Sequence, residues 1–262
     1  MSLVEALRFT ELAGRALDDP FVTEFHRKVI QSKPFLRKLY LRYYEAFLNI
    51  ETSLQDFRGV SLELGSGGGF LKDLIPQLVT SDTAQFPWVD RVENAFALSF
   101  QDESLRAIYM TGVLHHLGRP RDFFREVNRC LMPGGYLVMM EPHMSFFGRF
   151  FFRKLHHEPN DVDAKAWEFP QSGPLSDANT ALASLIFDRD RNQFEAEFPR
   201  LKVMRREFHT FLMYGLSGGV SLRYSAPGWS YPLFSSIEWA LGPLMNKYLG
   251  TMQTIWIQKS AT

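Results

Sequence analysis

The run Val60-Ser-Leu-Glu-Leu-Gly-Ser-Gly-Gly-Gly69-Phe70 constrains this chain most, because a short apolar segment delivers an acidic residue and then three alternate glycines before a helical pattern begins. Glycine is tolerated where the backbone takes positive φ or approaches a ligand closely, so Gly65, Gly67 and Gly69 mark a strand-end loop against which something lies. The pattern is that of a nucleotide-cofactor loop. A dinucleotide-binding turn wants Gly-x-Gly-x-x-Gly/Ala, with the third small residue packing helix against strand. Here that position is Phe70, and the fingerprint fails.

Three further segments follow in order: Leu98-Ser-Phe-Gln-Asp-Glu-Ser-Leu-Arg-Ala-Ile108, Val113-Leu-His-His-Leu117 and Leu131-Met-Pro-Gly-Gly135. Together with Glu63-x-Gly65-x-Gly67-x-Gly69 they span residues 60 to 141, and they resemble the class I S-adenosylmethionine-dependent methyltransferases, specifically the type 11-like methyltransferase domain. The resemblance implies S-adenosyl-L-methionine as cofactor, held by Glu63, Leu64, Gly65, Ser66, Gly67 and Gly69, with the Glu63 carboxylate near the methionine end. Asp82, nineteen residues after Glu63, stands where the fold family offers a carboxylate to the ribose hydroxyls, two vicinal donors matching one bidentate acceptor. The competing reading is an ordinary turn aspartate in Ser81-Asp82-Thr83.

Two positions depart from the family. Asn94, followed by Ala95, takes the place of the Asp that reads the adenine amino group, and its side-chain carbonyl still accepts from an amine without the help of charge. Arg106 replaces the Asp entering the fourth strand.

The implied fold is α/β, a Rossmann-like three-layer sandwich whose seven-stranded, mostly parallel sheet ends in an antiparallel strand. Residues 1–58 read as an N-terminal helical cap broken near Pro20 and Pro34. Residues 59–262 read as the methyltransferase domain, with acceptor-side insertions at about 142–177 and 210–250. Strands are expected at 60–64, near Asp82, around 91–95, at 107–111, 136–140 and 201–208, and last, antiparallel, at 252–258. Helices are expected at about 69–78, at 119–132 and at about 179–198. Between Asp82 and Arg91 stand eight residues including Pro87, too few for a helical crossover of a dozen or more, so Phe86 and Trp88 are expected to cover that edge instead.

Basic and acidic residues balance at 29 each, so no bulk positive field exists to draw nucleic acid, and DNA or RNA substrates are disfavoured. The single cysteine, Cys130, excludes an internal disulfide and fits a reducing compartment, and its helical spacing with Phe123 and Val127 reads as core. The N-terminus lacks the pattern of a signal peptide and no stretch reaches the length of a membrane span. A cytoplasmic location, extending to the inner face of a membrane, is expected.

Methyl transfer from a sulfonium is an in-line displacement, so most of the catalysis can come from positioning, and a base is needed only where the acceptor must lose a proton. Candidates at the carboxyl ends of strands four and five are His116, Glu141 and His143. Structural roles compete with each, most of all for the His115-His116 pair, which many members of the family carry whatever their substrate. His115, His116, Glu141, His143, His156, His157 and Glu158 have imidazole and carboxylate chemistry, but no pair has a known metal spacing and adjacent histidines on a strand point to opposite faces. No metal is expected.

Residues 146–157 interleave five phenylalanines with Arg149, Arg153 and Lys154, giving on a helix an apolar face rimmed by cations. That face fits a lid over the acceptor; it is also a candidate for peripheral membrane contact. The expected activity is methyl transfer to a small or lipid-linked organic acceptor, at a hydroxyl oxygen. The alternatives are a catalytically silent binding protein of the same fold and, against Phe70, a nicotinamide-dependent oxidoreductase.

Overall fold

The computed structural model describes residues 7–156 and 158–261. Two helices, α1 (Pro20–Ser32) and α2 (Pro34–Ser53), precede the sheet. Each begins with proline at its first turn, where the missing N–H costs nothing, and Asp19 caps α1 by accepting the N–H of Phe21. The strands are β1 (Val60–Leu64), β2 (Val79–Asp82), β3 (Arg91–Val92), β4 (Leu105–Thr111), β5 (Leu131–Pro142), β6 (Leu201–His209) and β7 (Met252–Lys259). They lie in the order β3-β2-β1-β4-β5-β7-β6. β7 pairs antiparallel with both β5 and β6, while the pairs among β1 to β5 are parallel.

Alternation along the strands divides the core into two layers. Leu62, Ile108, Met110, Leu137, Met139, Ile255 and Ile257 face α3 (Pro120–Cys130), whose Phe123, Phe124, Val127 and Cys130 are fully buried with Phe194 of α5 (Arg191–Glu197). Ala107, Tyr109, Val138, Met140 and Trp256 face the other way, onto Leu39, Tyr43, Tyr44 and Phe47 of α2. A strand covered on both faces must be apolar at nearly every position, as β5 is.

Arg106 is explained by the cap. Its guanidinium pairs with Glu51 of α2 and donates to Ser61 Oγ at 2.9 Å, while Ser61 Oγ and Tyr109 OH both donate to Glu51 Oε2, at 2.7 and 2.8 Å. This network fastens α2 to β1 and β4 through groups that would otherwise be buried without partners.

Three expectations are corrected. The helix expected over 69–78 is a single 3₁₀ turn, Leu71–Asp73, because Pro76 drives Ile75 out of the helical region two residues later. Helix 179–198 is broken into Leu182–Ser184, a π-helical stretch Leu185–Arg189 and α5. β3 stops at Val92, since Asn94 Oδ1 accepts the N–H of Phe96 and turns the chain. Residues 210–250, expected as a second insertion, contain α6 (Tyr231–Leu249), which runs through Gly242 and Pro243. The abbreviated β2–β3 connection has no helix, and Phe86 and Trp88 stack there with ring centroids 5.2 Å apart.

Candidate cofactor site

The glycine loop leaves β1 with Gly65 at φ +69° and Gly67 at φ +50°. A Cβ on Gly65 would stand 2.6 Å from Val113 Cγ2, and one on Gly69 would stand 2.7 Å from Tyr44 OH. Asp82, at the end of β2, accepts the N–H of Gly67 at 2.7 Å with one carboxylate oxygen and the N–H of Thr83 at 2.7 Å with the other. Trp88 Nε1 donates to Gly67 O at 2.8 Å, and Arg27, from α1, donates to Gly69 O while lying over the Trp88 ring. The loop is therefore held from three sides by groups outside it.

Above it opens a cavity at the carboxyl ends of β1, β2 and β4, where open α/β sheets bind ligands. Glu63, Leu64, Gly65, Ser66, Gly67 and Gly69 line one side; Asp82, Asn94 and Ala95 line the next. Thr111, Gly112, Val113 and His116 close the β4 side. Thr23, His26 and Ile30 of α1 and Tyr40 and Tyr44 of α2 form the roof. These roof residues were beyond reach of sequence spacing: α1 and α2 are amphipathic, and nothing in the period says which turn overhangs a cavity.

One buried hydroxyl on this wall, Thr111 Oγ1, has no hydrogen-bond partner among the described residues. Buried polar groups are almost always satisfied, so it points to a polar ligand. Burial pushes the Glu63 carboxyl up to about 7, and the Asp82 charge adds to this, against Ser66 and Arg27. A fully buried carboxyl of that kind matches a cationic group on the ligand. The residues present thus fit a nucleoside bearing hydroxyls and a positively charged tail.

The proposed catalytic residues are not gathered together. His116 reaches the wall, but its Nδ1 lies 3.1 Å from the carbonyl oxygen of Asp177 and its Nε2 faces Glu158 at 3.6 Å. Glu141 is off the cavity and fully buried: Oε1 accepts the N–H groups of Val113 and Leu114 at 2.9 and 2.7 Å, and Oε2 lies 2.7 Å from His115 Nδ1. It shapes the turn after β4. His143 is also off the cavity, stacked on Phe208 at 4.0 Å, and burial pushes its pKa down to about 4. Neither Glu141 nor His143 is placed to touch a ligand there. Nor do His115 and His116 point apart: they lie on a 3₁₀ turn, Leu114–His116, with ring centroids 4.3 Å apart. His157 lies outside the described residues.

Residues 62–139 match the model of a family described as a methyltransferase domain. No curated protein matches. Among solved structures, a chain from the complex between the Haloferax volcanii Trm112 methyltransferase activator and a candidate methyltransferase superposes with TM-score 0.50 at 10% identity, over 95% of this chain and 100% of that one. A SAM-dependent methyltransferase from Archaeoglobus fulgidus gives TM-score 0.45 at 15% identity, covering 84% of this chain and 99% of that one. The geranyl diphosphate C-methyltransferase of Streptomyces coelicolor A3(2) gives TM-score 0.46 at 13% identity, covering 98% and 89%. At such identities the likeness is one of fold.

Proposed function

We propose that this chain, a class I S-adenosylmethionine-dependent methyltransferase by its matching domain, transfers the cofactor's methyl group to a hydroxyl oxygen of a small or lipid-linked acceptor delivered from a membrane surface. The observation that carries the reading is the cavity itself, where the glycine loop, Asp82 and the Thr111 hydroxyl converge under the helical cap.

The bound cofactor supplies an electrophilic methyl on a sulfonium. Glu63 would face its charged methionine end, Asp82 the ribose hydroxyls, and Asn94 with Ala95 the adenine. Thr111 and the β4 turn border the remaining volume, where an acceptor oxygen would be held in line with the methyl. Tyr40, Tyr44 and Ile30 exclude water from above.

The surface supports a lipid-linked acceptor. Phe146 and Phe150 stand out from α4 (Phe146–Lys154) beside exposed Arg149, Arg153 and Lys154, and α6, which packs on α4, exposes Leu233, Trp239, Leu244 and Tyr248. Aromatic and basic side chains presented together suit the boundary of an anionic bilayer. Among the described residues no helix is long and apolar enough to cross a membrane.

Calorimetric titration with S-adenosylhomocysteine tests the cofactor reading: saturable binding supports it, and no binding at millimolar ligand would favour a silent protein of this fold. Flotation with vesicles containing phosphatidylserine tests the surface, with recovery in the lipid fraction expected and an unchanged distribution counting against it.

A further inference from the structure

Beside the cavity, three side chains from two distant segments bring ligand atoms together. His115 Nε2 lies 3.3 Å from Glu158 Oε2, and His116 Nε2 lies 3.6 Å from Glu158 Oε1. One ligand atom from each residue falls within 4.8 Å of the other two. His156 Nδ1 stands 3.6 Å from Glu158 Oε2 on the same side, and its Nε2 lies 3.5 Å from Tyr214 OH. His115 and His116 are buried and Glu158 is largely so.

We propose that His115 Nε2, His116 Nε2 and the Glu158 carboxylate bind a divalent transition-metal ion, zinc by the chemistry of the donors, between the turn after β4 and the loop after α4.

The separations suit an ion. Two ligands about 2.0–2.2 Å from a tetrahedral centre stand roughly 3.3–3.6 Å apart, the spacing found between each imidazole nitrogen and the carboxylate. The outer partners suit it as well. Ligating imidazoles donate their other ring N–H to a carboxylate or a carbonyl, which fixes tautomer and orientation. His115 Nδ1 meets Glu141 Oε2 at 2.7 Å, and His116 Nδ1 meets the Asp177 carbonyl at 3.1 Å.

That second contact says where the His116 proton is. A carbonyl oxygen can only accept, so Nδ1 carries a hydrogen and Nε2, which faces the carboxylate, is the ring nitrogen that would ligate an ion. Imidazole with carboxylate favours zinc, cobalt, iron or manganese over magnesium or calcium. The ion would join His116, on the cavity wall, to the loop following the basic aromatic helix α4, so that the acceptor side of the cavity and the lipid-facing surface share one fastening.

The test uses the purified full chain, stripped with chelator, loaded with Co(II) or Zn(II) and desalted. Metal content by mass spectrometry and the visible d–d absorption of Co(II) are read without methyl transfer, so the outcome is separate from whether S-adenosylhomocysteine binds. One ion per chain is expected, with affinity lowered by about 100-fold or more in Glu158→Gln. His116→Gln serves as a second variant, and circular dichroism checks that each is folded. Failure of the wild-type chain to retain Zn(II), Co(II) or Mn(II), or retention undiminished in folded Glu158→Gln and His116→Gln, would overturn the site and leave an imidazole–carboxylate network in its place.

Discussion

The carboxylate of Asp82 accepts the backbone N–H of Gly67 at 2.7 Å, so the residue expected to hold the ribose also holds the loop beneath it. One oxygen fixes Gly67 and the other fixes Thr83, leaving the outer lone pairs toward the cavity that Asp82 lines. Asp82→Ala leaves the Gly67 N–H without its charged acceptor and is expected to weaken S-adenosylhomocysteine by about 100-fold, with ~1–3 kcal/mol lost from stability. Asp82→Asn keeps an acceptor oxygen and should lose less of both. Calorimetry and chemical denaturation separate the two effects; equal affinities for wild type and Asp82→Ala would remove Asp82 from the cofactor site.

Glycine substitutions should part folding from binding. Alanine at Gly65 meets Val113 Cγ2 at 2.6 Å on top of a positive φ, and is expected to cost about 1–3 kcal/mol of stability. Alanine at Gly67 meets nothing nearer than Gly65 O at 4.0 Å, so its stability cost is the left-handed conformation alone, about 1 kcal/mol. Its methyl group stands on the cavity lining, so binding should suffer more than stability. Thermal melts alongside titrations give the comparison, and a Gly67→Ala chain that binds as well as wild type would count against close cofactor approach.

Cofactor affinity should depend on pH through Glu63. Burial raises this carboxyl to about 7 in the folded protein, against 4.5 for an ordinary glutamate. Its contribution to stability is therefore fully present below 4.5 and is lost as pH rises through about 7. The α-ammonium at the ligand's amino-acid end favours the ionised form, so binding below 7 releases a proton. Affinity for S-adenosylhomocysteine should climb with pH by up to about tenfold per unit and level off above 7. Glu63→Gln should flatten the profile; a wild-type profile already flat from about pH 5.5 to 8 would place the ligand's charge elsewhere.

Breaking the pair between cap and sheet should destabilise the whole molecule. Arg106→Met leaves Glu51 beside Ser61 and Tyr109 with no cation, and an unpaired buried charge costs about 3–5 kcal/mol. Hydrogen bonds from Ser61 and Tyr109 and the Arg106 charge overcome the effect of burial and hold Glu51 below the usual glutamate range. Its contribution is accordingly present at neutral pH and lost as pH falls through the depressed value. Urea denaturation should show Glu51→Gln/Arg106→Met less damaged than Arg106→Met alone.

Trp239→Ala and Phe146→Ala remove side chains that are 82% and 84% exposed. Stability should change by less than about 0.5 kcal/mol each, while vesicle recovery falls. Unaltered recovery in the double variant would point away from this face as the lipid contact.

The sequence revealed what local chemistry dictates. The glycine loop, the apolar β5, the aromatic patch replacing a helix and the antiparallel β7 each follow from spacing within a few residues. Elements decided by distant packing were harder to read. Pro243 and Gly242 argue against a helix, yet α6 forms, because buried Glu238 accepts the N–H groups of Leu212 and Met213 and pairs with Arg42 of α2 at 2.7 Å. Glu141 and His143 were read as site residues from their place at a strand end, but in which direction a strand-end side chain leans is a matter of its neighbours. Glu158 was grouped with His115 and His116 by donor chemistry alone, since with more than forty residues of chain between them no spacing shows that they meet.

The strand that completes the sheet is also the last to be made. β7 lies between β5 and β6, so until Met252–Lys259 has emerged from synthesis two strand edges that are interior in the finished molecule remain unpaired. Folding is thus gated by a late, long-range event, and the nascent chain has open edges for as long as residues 143–251 are being added. Agents that hold exposed strand edges during synthesis should affect the yield of this protein more than its final stability.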